Sequence, residues 1–256
     1  MKRFMLRLLV MSLVLGGIVL KGMGFAEEQA AAPVPLKICM LSGSVEYQSD
    51  VILPILIEYM KKSYAVDCTL LVWKEDNDLP GLEALSTCDV MLLFTRRLTI
   101  EGEQLERVKD YCLSGKPIVG IRTASHAFQN WLELDKLVLG GNYQGHYGSG
   151  PVTQVTINPP AKKHPILAGV EDFSSVGSLY QNTPPAADVF ILLTGTIPDH
   201  SEPVAWTRVF NGGKIFYTSL GHPDDFKNEN FLRMVSNALF WVCGREPALL
   251  SGATGN

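Results

Sequence analysis

Clusters of histidine and arginine carry most of the chemistry this sequence could perform. Arg122, Thr123, Ser125 and His126 fall close together, Gly221-His222-Pro223-Asp224-Asp225 forms a second polar knot, and Arg96 and Arg97 stand at the end of an apolar run. A Gly-rich stretch from Gly140 to Gly148 adds Asn142, Tyr143 and His146. A histidine titrates near neutrality and works as a general base when a carboxylate fixes its tautomer, so His222 with Asp224 is a candidate catalytic pair, and His126 a further catalytic candidate. The three residues His126, His146 and His222 could instead converge on zinc or another divalent metal, leaving a position for water or a sugar hydroxyl. Their wide separation in sequence keeps isolated, hydrogen-bonding histidines open as the alternative. Guanidinium groups recognise carboxylates or paired hydroxyls, which makes Arg96, Arg97 and Arg122, with Thr123, candidate substrate contacts. Asn142, Tyr143 and His146 suit a surface that grips a hydroxylated ligand. His164, before Pro165 in a turn, and His200, in a polar stretch, read as structural or solvated. No G-x-G-x-x-G or Walker pattern occurs, so nucleotide binding has no support.

These residues matter only if the fold gathers them. From Leu36 onward, apolar runs of strand length alternate with helical periodicity. Lys37–Leu41, Ala65–Trp73, Val90–Phe94 and Pro117–Ile121 predict strands; Val51–Met60 and Thr99–Leu113 predict helices, the latter with Thr99 as N-cap. Val152–Ile157 and Val189–Thr194 predict further strands, Val204–Arg208 and Lys214–Ser219 a hairpin around Asn211-Gly212-Gly213, and Asn228–Val242 a closing helix. This rhythm is that of a mostly parallel sheet covered by helices on both faces. In such sheets ligands sit at the carboxyl ends of the strands, which is where Ser42-Gly43-Ser44, Arg96-Arg97, Arg122–His126 and Gly221–Asp225 fall.

The chain's start has a different character. Lys2, Arg3 and Arg7 precede an uncharged run of 13 residues, Leu8 to Leu20, too short for a membrane span and followed by small residues at Gly24 and Ala26. Residues 1–26 therefore read as a cleavable signal peptide, 27–35 as a flexible tether, 36–245 as one α/β domain and 246–256 as a disordered tail. Cleavage after Ala26 removes four of the 22 basic residues and none of the 26 acidic ones, leaving 18 against 26 and a net charge near −8 in place of −4. That balance disfavours nucleic acid and, once the signal is gone, stable membrane association. A periplasmic or secreted location is expected. Cys39, Cys68, Cys88, Cys112 and Cys243 lack C-x-x-C spacing and read mainly as free thiols, with one disulfide open in an oxidising compartment.

Several motifs in one order resemble a known family. The block Pro117–Phe128, the loop Gly140–His146, the turn His164-Pro165-Ile166 and the stretches Pro203–Arg208 and Tyr217–His222 together resemble the ThuA-like (trehalose utilisation) family of the class I glutamine-amidotransferase-like superfamily. The resemblance implies a flavodoxin-like three-layer sandwich, a bacterial origin and a role in sugar metabolism. True amidotransferases carry their nucleophilic cysteine on a G-x-C-x-G elbow. The matching stretch here is Gly120-Ile121-Arg122-Thr123-Ala124, with Arg122 in the cysteine's place. A guanidinium stays protonated and cannot attack a carbonyl, so thioester chemistry and glutamine hydrolysis are not expected. Ser125 lies beyond the elbow's apex, out of place for a nucleophile. His222-Pro223-Asp224 resembles the H-P-E of the amidotransferases, implying that base and orienting acid persist without their nucleophile. The expectation is an exported hydrolase or lyase acting on a glycoside or oxidised sugar through His222 and Asp224. A non-catalytic carbohydrate-binding or scaffold domain is the alternative.

Overall fold

Alternation of side chains explains why the first strands read as unbroken apolar runs: each faces a core on both sides. In the computed structural model, which describes residues 33–247, β1 (Leu36–Gly43) sends Leu36, Ile38 and Met40 into one core and Cys39 and Leu41 into another. The same alternation runs through β3 (Val90–Thr95), with Leu92 and Phe94 on one side and Met91 and Leu93 on the other. α1 (Ser49–Ser63) and α3 (Glu229–Val242) cover the first face through Leu53, Leu56, Phe231 and Leu239, whereas α2 (Gly102–Leu113) covers the second through Leu105, Val108 and Cys112. The result is the expected three-layer α/β sandwich.

The sheet has nine strands. With β2 (Val66–Val72), β4 (Ile118–Ile121), β5 (Thr153–Ile157), β6 (Phe173–Ser175), β7 (Phe190–Ile197), β8 (His200–Phe210) and β9 (Gly213–Thr218), its order is β2-β1-β3-β4-β9-β8-β7-β5-β6. Strands β2, β1, β3, β4 and β9 are parallel, while β8, β7, β5 and β6 continue the sheet with antiparallel pairings. The sheet is thus parallel through one half only. The switch is made by the hairpin of β8 and β9, where Asn211 (φ 48°) and Gly212 (φ 86°) form a two-residue turn between paired Phe210 and Gly213. Left-handed backbone at both central residues is what Asn-Gly provides.

Two sequence expectations shift. Thr99 does not cap α2: Leu98 and Ile100 are anchored in the second core, the Thr99 amide donates to the Asp76 carbonyl, and the helix starts only at Gly102 after Glu101. The three-residue strand β6 had no readable pattern. All five cysteines are free. The expected signal peptide, residues up to 32 of the tether and the tail from residue 248 lie outside the described residues.

Two buried carboxyl groups shape the Gly-rich loop. Asp135, in a short helical turn Asp135–Leu139, accepts the Tyr143 amide on Oδ2 at 2.8 Å, and its carbonyl accepts the Gly141 amide at 3.0 Å. On the far side Glu202 of β8 accepts the Tyr147 hydroxyl (2.8 Å), the amides of Asn182 and Thr183 (3.0 and 2.9 Å) and the Thr183 hydroxyl (2.6 Å). His200 stacks on Tyr147 with ring centroids 3.8 Å apart, a structural place in keeping with its reading. Gly141 is required for closeness: a Cβ there would lie 2.0 Å from Asp135 Oδ1. Replacing Gly141 by Ala is therefore expected to cost roughly 1–3 kcal/mol in a denaturant titration, whereas Gly150→Ala, with open space around it, is expected to cost almost nothing. Equal stabilities for the two variants would contradict this account of the loop.

Candidate functional site

The chain turns sharply where β4 ends. Arg122 follows Ile121 with φ 46°, a left-handed backbone that a non-glycine residue adopts only under constraint, and a short turn Arg122–His126 begins there. The elbow geometry is therefore present with arginine at its apex. The constraint is visible: Tyr217 donates its hydroxyl to the Arg122 carbonyl at 2.7 Å.

The Arg122 side chain turns inward, away from solvent. It is 1% exposed, its Nη1 donates to the Ser219 carbonyl at 2.8 Å and its Nη2 to the Ser178 hydroxyl at 3.2 Å. Its guanidinium lies 4.4 Å from the Tyr47 ring centroid and 4.7 Å from that of Tyr180. A cation between two aromatic faces gains about 2 kcal/mol from each when desolvated, the same order as the several kcal/mol lost on leaving water. Arg122 thus cements the carboxyl-end face; its charged head meets protein on every described side, as does Thr123, which is fully buried. Sequence reasoning missed Tyr47, which carries no motif.

A cleft of about 270 Å³ opens beside this elbow, at the carboxyl ends of β3 and β4. Arg97, Ser125, His126, Gln129, Asp135, Lys136 and Tyr143 line it. The loop after β3 is zipped to the turn after β4: the Arg97 amide donates to the His126 carbonyl at 2.8 Å and the Leu98 amide to that of Ala127 at 2.8 Å. Arg97 itself has φ 50°. His126 is buried against Tyr143, ring centroids 4.4 Å apart and nearly parallel, with Nδ1 3.0 Å from the Ser125 hydroxyl. Burial, reinforced by Arg97, Arg96 and Arg122, pushes the His126 pKa down to about 3, so the ring is neutral at physiological pH. Burial pushes Asp135 the other way, up to about 6, against the lowering influence of the Tyr143 amide and Lys136.

The remaining candidates are dispersed. Arg96 is paired with Glu46 at 2.8 Å. Asn142 is half-buried, and exposed His146 accepts the Gly148 amide on Nδ1 at 3.1 Å. His164 accepts the Ile166 amide and lies near Trp241, a structural place. The hydrogen-bonded pair expected of His222 and Asp224 does not form, although their side chains are adjacent, with Nδ1 3.7 Å from Oδ2. His222 Nδ1 accepts the Asp224 amide at 3.2 Å, and the Asp224 carboxylate is shared with Lys227 at 2.6 Å, whose charge holds it low. The carboxylate that fixes this turn is Asp225, buried and accepting the amides of Gly221 and His222 at 2.8 and 2.9 Å. The three-histidine metal centre does not form either. His222 lies against Tyr47 and His126 near Tyr180, the two rings that flank Arg122, and among the described residues no group of three His, Cys, Asp or Glu side chains is arranged to hold a metal ion.

The opposed shifts of Asp135 and His126 have a measurable consequence. Asp135 keeps its proton in the native state up to about pH 6 but loses it near 3.8 when unfolded, so its contribution to stability declines as pH rises through that window. His126 takes up a proton below about 6.5 when unfolded but only near 3 when folded, so its contribution declines as pH falls through that window. Each slope is about 1.4 kcal/mol per pH unit, and between about pH 4 and 6 they cancel. In Asp135→Asn the histidine term is left alone. Relative to wild type, the variant is expected to lose roughly 2–3 kcal/mol of unfolding free energy between pH 6 and 4; parallel pH profiles for the two proteins would contradict the shifts.

Comparison with known proteins agrees with this architecture. A ThuA-like protein from Parabacteroides merdae superposes with TM-score 0.63 at 17% identity, covering 82% of this chain and 91% of its own. One from Bacteroides uniformis gives TM-score 0.61 at 19% identity, covering 86% and 95%. A β-galactosidase from Bacillus circulans sp. alkalophilus gives TM-score 0.56 at 14% identity; 83% of this chain matches only 32% of that one. No curated protein matches the chain. The model of the ThuA family, described as trehalose utilisation, matches residues 37–242, and the chain belongs to that family.

Proposed function

We propose that this protein is an exported carbohydrate-recognising member of the ThuA family, with its sugar seated in the cleft beside Arg97, His126 and Tyr143. One observation carries the reading: this cleft joins an aromatic face to a fixed set of polar groups at the carboxyl ends of β3 and β4, the place where open α/β sheets bind ligands. Its volume of about 270 Å³ suits one sugar ring better than a chain of them. The Arg97 fork and the Gln129 amide suit paired hydroxyls, and the neutral imidazole of His126 adds no charge of its own. The family's description as trehalose utilisation and the likeness of fold to a β-galactosidase are in keeping with a carbohydrate ligand. Export is supported by the basic start and the uncharged run from Leu8 to Leu20.

A catalytic version, hydrolysis or elimination at a glycoside, is favoured by a second observation. Asp135 lines the cleft with its carboxyl pushed up to about 6 by burial, the direction that suits a proton donor, beside the neutral His126 imidazole.

Isothermal titration of the mature chain against hexoses, hexuronates and trehalose tests the proposal. At least one sugar is expected to bind, and Gln129→Ala, an exposed position, is expected to weaken it about fivefold through loss of roughly one hydrogen bond. Product release measured in the same mixtures, lost in Asp135→Asn, would establish the catalytic version. Absence of binding by every sugar, or binding indifferent to Gln129 and Arg97 alike, would overturn the proposal.

A further inference from the structure

The charges around the cleft are unbalanced, and the imbalance points to a class of ligand. Arg97 and Lys136 both line it, and among the described residues neither forms a salt bridge. Arg96, the neighbour of Arg97, has its carboxylate partner in Glu46 at 2.8 Å, so pairing is available nearby and Arg97 is left out of it. The one carboxyl group on the cleft, Asp135, is buried and directs Oδ2 to the Tyr143 amide. In a chain whose net charge is −4, two cations beside this single carboxyl group, which Lys136 already faces, leave the cleft with an excess of positive charge. Arg97 is also held in place: its left-handed backbone, φ 50°, is pinned by its amide's bond to the His126 carbonyl at 2.8 Å. Residues kept in such conformations cost about 1–3 kcal/mol and persist where the surroundings fix them for a purpose.

We propose that the sugar bound in this cleft carries a carboxylate, a hexuronic acid or its glycoside, with that carboxylate paired to the Arg97 guanidinium and Lys136 supplying the second positive charge. The inference rests on the reading of the cleft as a sugar site. A neutral sugar entering between two cations would strip water from both and return only hydroxyl contacts. A carboxylate matches the planar fork of arginine with two parallel hydrogen bonds and restores the charge balance. The rest of the cleft is left for the ring: Tyr143 and His126 present the aromatic wall and Gln129 the amide. Positive potential converging on His126 from Arg97, Arg96 and Arg122 also draws an anion toward the same wall.

The test is a titration of the mature chain with D-glucuronate and D-galacturonate against their neutral isosteres, glucuronamide and galacturonamide, with glucose and glucose 6-phosphate as further arms. At low salt one of the acids is expected to bind at least tenfold more tightly than its amide, and the acid-to-amide ratio is expected to collapse to about twofold in Arg97→Gln and to fall between in Arg97→Lys, which keeps charge but not the fork. Circular dichroism melting of both variants confirms that they fold. Equal binding of acid and amide, with measurable affinity, would overturn the carboxylate and leave the sugar site standing. Tighter binding of glucose 6-phosphate than of either uronate would overturn it in favour of a phosphorylated sugar. No binding in any arm would overturn the sugar site and this inference with it.

Discussion

The buried guanidinium of Arg122 is the point on which the carboxyl-end face depends. Strand β4 delivers it, Tyr217 holds its backbone in the left-handed region, and Tyr47 and Tyr180 close on its two faces. Those contacts tie together segments far apart in sequence: the loop after β1, the turn after β4, the segment at Ser178 to Tyr180 and Ser219 after β9. An added Cβ on Gly177 would lie 3.0 Å from Arg122 Nη1 and 3.2 Å from the Cβ of His222, so even the glycine there is set by the room the arginine needs. Filling the elbow with a cation moves the open space aside. What remains accessible is the cleft on the β3 side, where Arg97 and His126 meet.

Much of the fold was legible because it depends on local pattern. Runs such as Val90–Thr95 are apolar at every position only when both faces are covered, and Asn211-Gly212 is a turn that the backbone itself demands. The strand β6 and the antiparallel half of the sheet were harder, since three residues give no periodicity and strand direction is decided by connections rather than composition. Thr99 shows tertiary contact overriding a local signal: it looks like an N-cap, yet its flanking residues Leu98 and Ile100 are held in the core and the helix begins only at Gly102.

The site was legible in its residue types and less so in its geometry. Arg97, His126 and Tyr143 do meet, as their positions after strands and in the Gly-rich loop suggested. Asp135 was unmarked in the charged stretch Glu133-Leu134-Asp135-Lys136, although a carboxylate shortly before Gly140-Gly141 is a signal that a tight loop needs an acceptor. His222-Pro223-Asp224 does put a carboxylate beside the imidazole, 3.7 Å from Nδ1, but the turn also brings the Asp224 amide onto that nitrogen and Lys227 onto the carboxylate, which spacing alone does not show. Asp225, one residue further, anchors that turn, and a shift of a single residue is beyond what spacing resolves.

On the proposed reading, the ligand binds on the His126 side of the Arg122 wall and not on the His222 side. Nitrogen-15 NMR of the imidazole rings during titration with D-glucuronate tests it most directly, because each histidine reports its own surroundings. The account expects the His126 resonances to move and saturate with the binding isotherm while those of His222 stay in place. Saturable shifts at His222 with His126 unmoved would contradict it.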